Sequence, residues 1–270
     1  MRIIKTARLI PGFFCWFGYD LPIFKRFKAI KKAGFTHVSI WLGKEEASVR
    51  NGKLEDFIDS AHNTGLEIEC AHASYDGCNN IWIGNDSQKC ELLAEYTEQI
   101  EYCGQSHIPI LVMHVSQGNN APGPNEGGLK FMLELLEVAI KLNVSIALEN
   151  TRRTDGLNYL LENIKDPRLG MCYDSSHDFL FSKHPTCLLS EWGNRLLYTH
   201  FSDNDGHSDR HWLPGTGIID WDLIKAAYPK DAKKCISLEV VPRNSDSESM
   251  SKFLENAYET GKWLIQKLSS

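Results

Sequence analysis

The sequence predicts an α/β chain folded as a (β/α)8 TIM barrel, one domain over residues 1–270, and three observations carry that reading. Its 270 residues match the roughly 250 residues of a one-domain barrel. Short β-prone runs alternate with helix-favouring stretches from end to end, the pattern of parallel strands joined by right-handed crossovers. Six of those runs also terminate in a residue able to bind a metal. LEIECA runs into His72, IPILVM into His114, VSIAL into Glu149, LGMCY into Asp174, LLYT into His200 and CISL into Glu239. In barrels of this kind chemistry sits at the C-terminal ends of the strands, so a ring of strand-end ligands places a metal site at the barrel mouth.

Taken in order, strands are expected near residues 12–17, 36–42, 66–72, 108–115, 144–149, 169–174, 195–200 and 235–241. The first run, MRIIKTARLIPGFFCWF, has the basic-then-apolar order of a secretory signal. Pro11 and Gly12 interrupt it and no A-x-A-like site follows, so it is expected to supply the first strand. Helices are expected over 53–64, 86–104, 127–142 and 247–268, the last closing the barrel. KAGFTHVSIWL and NTGLEIECAHA share one logic, a helix stopped by glycine and followed at once by a strand. The longest irregular stretch, roughly 201–219, is polar and glycine-rich, and long loops in compact domains are often functional. No linker or low-complexity segment divides the chain.

Composition limits the partners. A net charge of −6 argues against a broad electrostatic footprint for nucleic acid. No apolar stretch approaches the roughly 20 residues that cross a bilayer, so no membrane partner is expected. The eight cysteines contain no C-x-x-C pair, which points to reduced thiols and a cytoplasmic location. Cys15, Cys70, Cys172 and Cys235 fall in strand-like runs, where a free cysteine acts as a small apolar residue.

Alternation along the strands sharpens the site. If Glu149 faces the barrel interior, Ala147 and Ser145 do too, while Leu148, Ile146 and Val144 pack on helices. By the same rule Asp174 stands above Cys172 and Gly170, and Glu239 above Ser237 and Cys235. Small residues beneath each carboxylate leave room for a charged group and an ion.

Carboxylate oxygen with imidazole nitrogen suits a divalent ion such as Zn2+ or Mn2+. The core set is Glu149, Asp174, His200 and Glu239. An acid at one strand end is commonly a solvated loop residue or helix cap; a set of them at the same end of neighbouring strands is not. His72, His114, His177, Asp209 and His211 extend the cluster to as many as three ions; the alternative is that His72 or His114 orients a substrate hydroxyl. Trp16 and Trp41 close the first two strands and are expected either to wall the pocket or to pack. The remaining histidines (His37, His62, His107, His184 and His207) have no such placement.

These residues resemble those of the xylose isomerase-like TIM-barrel superfamily. That superfamily includes sugar and sugar phosphate isomerases and epimerases, and also the endonuclease IV-type AP endonucleases of family 2. The resemblance covers nearly the whole chain. It is carried by His72-Ala73-Ser74-Tyr75, Leu148-Glu149-Asn150-Thr151, Asp174-Ser175-Ser176-His177, the segment HFSDNDGHSDRHWLPGTGIIDW (200–221) and Leu238-Glu239. In the isomerase branch the resemblance implies one ion on Glu149, Asp174, His200 and Glu239, acting as a Lewis acid on a sugar carbonyl. Glu149 and Glu239 would then remove and return the proton α to that carbonyl through an enediolate, with His177 contacting substrate. In the endonuclease branch His72, His114 and Glu149 would hold a first ion. Glu149 would bridge to a second on Asp174, His200 and Glu239, and a third would sit on His177, Asp209 and His211.

All nine positions are present in order, which favours a polynuclear site. Against DNA repair, PGFFCWFGYD lacks a glycine-histidine-serine-like start, and no basic, aromatic-interleaved loop is evident. Tyr75 points the other way, since an aromatic there can stack on DNA. A catalytically idle barrel is disfavoured, because buried carboxylates without a partner ion are costly. The expectation is therefore an isomerase or epimerase of a small sugar, sugar phosphate or polyol, with a homodimer possible. The alternative is a zinc-dependent phosphodiesterase acting on DNA.

Overall fold

The computed structural model describes residues 10–43, 53–230, 232, 236–244 and 248–270. Eight parallel strands form one sheet in the order β7-β6-β5-β4-β3-β2-β1-β8. They are β1 (Pro11–Phe14), β2 (His37–Trp41), β3 (Glu67–His72), β4 (Ile110–Met113), β5 (Ser145–Glu149), β6 (Leu169–Asp174), β7 (Leu196–His200) and β8 (Ile236–Leu238). The ring closes just beyond β7, where Phe201 N–H donates to Ser237 O (2.9 Å) and Glu239 N–H donates to Phe201 O (3.2 Å). This is the (β/α)8 TIM barrel that the alternating pattern predicts.

The predicted strands differ from the observed ones mainly at their ends. The first stops at Phe14 rather than reaching residue 17, although Cys15 N–H still donates to Ser39 O across the ladder. The last stops at Leu238, because Glu239 pairs with Phe201 and Val241 N–H donates to His211 O (2.7 Å) in the long loop. Residue 235 lies outside the described residues.

Helices α1 (Ile23–Ala33) and α2 (Leu54–Thr64) end at Gly34 and Gly65, both left-handed with φ of 114° and 68°. Only glycine takes that conformation without a Cβ penalty, so each glycine stops its helix and releases the chain into β2 or β3. The helix predicted over 86–104 is α4 (Asp86–Gln105), following the short α3 (Asn80–Ile83). Asn85 and Gln88 cap it reciprocally, each side chain accepting from the other's backbone N–H at 3.0 Å. α5 (Glu126–Lys141) and α6 (Asp155–Asn163) flank β5 in sequence. α7 (Ser175–Phe181) and α8 (Cys187–Trp192) follow β6, and α9 (Trp221–Ala227) and α10 (Met250–Ser269) complete the outer layer.

Two cores follow from strand alternation. Cys70, Ile110, Val112, Ala147, Cys172 and Tyr198 fill the barrel interior. Val38, Ile40, Leu111, Ile146, Leu148 and Met171 pack outward with the helices. Ala147, Cys172 and Ser237 are fully buried below their carboxylates, as the alternation requires, whereas Cys235 is not described. Trp16 does not face the pocket; the Arg26 guanidinium lies 5.2 Å from its ring, so it takes the packing role. Among the described residues no helix is long and apolar enough to cross a membrane.

Candidate active site

Every predicted ligand is carried to the C-terminal mouth. Glu149, Asp174, His200 and His72 are the last residues of β5, β6, β7 and β3. His114 follows β4 by one residue, Glu239 follows β8 by one, and His177 lies in the first turn of α7. Asp209 and His211 belong to the loop between β7 and α9.

Glu149 is the hub. Its Oε2 lies 3.0 Å from His72 Nε2, 3.1 Å from His200 Nδ1 and 3.3 Å from His114 Nε2. Its Oε1 lies 3.3 Å from His177 Nδ1. His200 Nδ1 also reaches Glu239 Oε2 at 3.1 Å. Burial alone would raise the Glu149 carboxyl, but His200 and His114 outweigh it and hold it well below the usual carboxylate range. For His114 burial lowers the imidazole, against the pull of Glu149. For His200 burial is overcome by Glu239 and Glu149, which raise it to about 9. Asp174 is pushed up to about 7, chiefly by burial, with His177 opposing and Glu149 adding repulsion.

The quartet fits an ion. Among the described residues two ion-sized groups of candidate donors occur and they overlap: His72, Glu149 and His200, and Glu149, Asp174, His200 and Glu239. Their donor atoms lie within 4.8 Å of one another. Ligand bonds of about 2.0–2.2 Å put opposed donors on one ion roughly 4 Å apart, so only small adjustment is needed. Asp174 supplies the sharper test. Its Oδ1 accepts the His177 backbone N–H (2.7 Å), capping α7, while Oδ2 is buried with no hydrogen-bond partner. A buried carboxylate oxygen lacking a donor is costly unless a cation or proton satisfies it.

His177, Asp209 and His211 meet differently. Asp209 Oδ2 lies 3.1 Å from both His177 Nε2 and His211 Nε2, and Oδ1 accepts from Ser176 Oγ at 2.6 Å. Burial opposes ionisation of Asp209, yet its hydrogen bonds to His177 and His211 hold it far below the usual range. Burial lowers His211, but the Asp209 hydrogen bond and the Glu239 charge raise it to about 10. His177 is likewise lowered by burial and raised well above its ordinary value by Asp174 and Asp209. His211 holds a left-handed backbone (φ 49°), uncommon for a residue with a Cβ, where the loop turns its ring to Asp209.

Sequence reasoning missed three residues that hold this machinery. Asn150 clamps the Asp174 backbone, accepting from its N–H at 2.7 Å and donating to its C=O at 2.9 Å. Ser176 anchors Asp209. Asp203, fully buried, gathers the loop by accepting from Gly215 N (2.9 Å), Ile219 N (3.1 Å) and Trp221 Nε1 (3.0 Å). Asn150, Ser176 and Asp203 all lie inside the motifs named above, but their partners stand 12 to 33 residues away and left no local signal.

Above the quartet opens a cavity of about 370 Å³, walled by Trp41, Tyr75 and Phe181 and lined by both Glu149 and Glu239. Trp41 thus takes the wall position that Trp16 does not.

Fold and site together define a (β/α)8 barrel with an acid–imidazole cluster at its C-terminal mouth. The chain belongs to the xylose isomerase-like TIM-barrel family, whose profile matches residues 27–257. It is 27% identical to an uncharacterised protein of Sinorhizobium fredii, across 77% of this chain and 78% of that one. It is 22% identical to fructoselysine 3-epimerase of Shigella flexneri, across 77% of this chain and 83% of the enzyme. D-psicose 3-epimerase from Clostridium cellulolyticum, solved with D-tagatose, superposes with a TM-score of 0.76. That match covers 97% of this chain and 100% of the enzyme at 12% identity, a likeness of fold.

Proposed function

We propose that the protein is a divalent-metal-dependent epimerase or isomerase of a small sugar or sugar derivative. The observation that carries this is the buried, unpartnered Asp174 Oδ2 within a convergent quartet whose two glutamates line one cavity. The sugar-epimerase relatives support the same class. Glu149, Asp174, His200 and Glu239 would hold the ion, and three carboxylates with one imidazole suit Mn2+ or Zn2+. Bound there, the ion would supply Lewis-acid polarisation of a carbonyl and its neighbouring hydroxyl.

The remaining work falls to the chain's own groups. Glu149 and Glu239 are the proton-transfer pair, one taking the proton from the carbon α to the carbonyl and the other returning it, through an enediolate. His72 and His114 hold Glu149 Oε2 in position, and His177, also in the cavity wall, contacts substrate. Trp41 and Tyr75 exclude water on one side.

The phosphodiesterase alternative has less support. Tyr75, the aromatic able to stack on DNA, packs its ring against His114 at 5.2 Å and Trp41 at 5.1 Å. Asp209 has both oxygens engaged by protein donors. The deciding experiment incubates Mn2+- or Zn2+-loaded protein with a panel of ketoses in D2O, and separately with an abasic-site duplex. Deuterium entering carbon α to the carbonyl, abolished by EDTA, is the expected result. EDTA-sensitive strand cleavage without sugar exchange would overturn the reading.

A further inference from the structure

Arg152 is the sole arginine or lysine among the residues lining the catalytic cavity, and no described carboxylate or carbonyl pairs with it. Its neighbour Arg153 is fully engaged, bonding both Asp155 oxygens (3.2 and 2.6 Å) and Ala121 O (2.8 Å). Arg152, itself solvent-exposed, instead sits over a ring, its guanidinium carbon 4.1 Å from the Phe181 centroid. Phe181 in turn stacks on His177 at 5.9 Å. Such a cation–π contact fixes the orientation of the guanidinium while leaving its N–H donors unspent.

Behind this row lies a second cavity of about 280 Å³, and it shares Thr151, Arg152, His177 and Phe181 with the first. Arg152 therefore stands at the junction of two chambers. Lys183 and His184 also line the second chamber. Of its carboxylates, Asp178 accepts Tyr173 Oη (2.7 Å) and Thr186 N–H (2.6 Å) on Oδ2 alone, its Oδ1 is buried without a partner and burial holds the carboxyl above the usual range, and Glu191 is exposed to solvent. Together the chambers fall well within the roughly 300–1,000 Å³ of ligand sites, with space for a substituent beyond the reacting carbons.

We propose that Arg152 is a specificity residue that grips an anionic group, phosphate or carboxylate, on the non-reacting end of the substrate. This rests on the sugar-epimerase reading above and narrows it to acidic sugars. A planar guanidinium with free donors matches either oxyanion in bidentate geometry, which a neutral hydroxyl cannot exploit.

The test compares one ketose with three termini: D-fructose, D-fructose 6-phosphate and D-fructuronate. Calorimetric titration of each into Mn2+-loaded wild-type and Arg152→Gln protein reads the preference directly. At least one anionic ketose should bind wild type tenfold or more tighter than D-fructose, and the two anions decide between phosphate and carboxylate. Arg152→Gln should erase that advantage while changing D-fructose affinity less than twofold. Equal binding of all three ketoses, no binding of either anion, or an advantage that survives in Arg152→Gln would overturn the proposal. Deuterium exchange on the same ketoses separates the two readings. An anion preference without exchange counts against the epimerase assignment alone, and exchange without preference against Arg152 alone.

Discussion

The inner quartet and the outer trio at the barrel mouth are built from the same residue types, yet their carboxylates are treated differently. Asp209 spends one oxygen on Ser176 and the other on two imidazoles. Asp174 spends one oxygen on a helix N-terminus and leaves the other buried and bare. The trio meets each Asp209 oxygen with partners from the protein itself. The quartet gathers three acids around His200 and is short of positive charge. Identical ligand types therefore do not make identical sites; what separates them is whether the protein has already supplied the donors.

The largest effect should come from the proposed proton-transfer pair, Glu149 and Glu239. Glu149→Gln or Glu239→Gln is expected to lower turnover by about 10²–10⁴-fold, the range for loss of a general acid or base. Asp209→Asn should cost less than about tenfold if the trio only positions His177. Thermal melts of each variant guard against unfolding. Full activity in either glutamine variant would sink the assignment, and an Asp209→Asn loss as large as theirs would erase the distinction between the clusters.

Metal content comes next. One ion per chain is expected by plasma emission spectroscopy, lost in Asp174→Asn and kept in Asp209→Asn. At an ion concentration of 100 times Kd, loading should stabilise the fold by about 2.7 kcal/mol. Two or three ions in the wild type would restore the polynuclear alternative.

The pH dependence has a definite sign. Asp174, raised to about 7, and His200, raised to about 9, bind protons more tightly in the folded state than in the unfolded chain. Their protons stabilise the ion-free fold at low pH. That contribution fades as pH rises from the unfolded values, about 4 and 6.5, through about 7 and 9. An ion must displace the same protons. Chelator competition should therefore show tighter binding at pH 8 than at pH 6, and EDTA should lower the melting temperature more at pH 8. The opposite order would mean that these groups do not titrate with the site.

The smallest effects test the supports. Asn150→Ala removes both bonds to the Asp174 backbone and should cost about 1–3 kcal/mol, together with weaker metal binding. Ser176→Ala, which removes the bond to Asp209 and the Oγ that accepts from Asn204 Nδ2 (3.0 Å), should cost about 0.5–1.5 kcal/mol and leave metal content unchanged. Urea denaturation with parallel metal analysis checks both.

Much of this was legible in the sequence because a barrel ties ligand position to strand ends. A β-prone run that stops at Glu149 or Asp174 announces both the strand and the place where its last side chain points. Alternation then sorted Ala147 and Cys172 inward and Ile146 and Leu148 outward, as the two cores show. What stayed hidden depends on partners far along the chain. Asp203 reads as one more polar loop residue until Gly215, Ile219 and Trp221 fold back onto it. Ser176 gives no hint that it satisfies Asp209, so the contrast between the two carboxylates, and the number of ions it implies, could not be read from residue order. Trp16 and Trp41 look equivalent in sequence, yet in the fold Trp16 meets the Arg26 guanidinium while Trp41 lines the cavity.

Asp174 joins two events that are usually separate. The oxygen that accepts the His177 amide starts α7, the helix that carries His177 and, at its far end, Phe181. Its companion oxygen faces the cluster, so whatever steadies that carboxylate also steadies the first turn of the helix. Amide-hydrogen exchange at His177 thereby becomes a gauge of site loading, slow when the carboxylate is pinned and faster when it is released. The aromatic partition between the two chambers would be stiffened or loosened along with it.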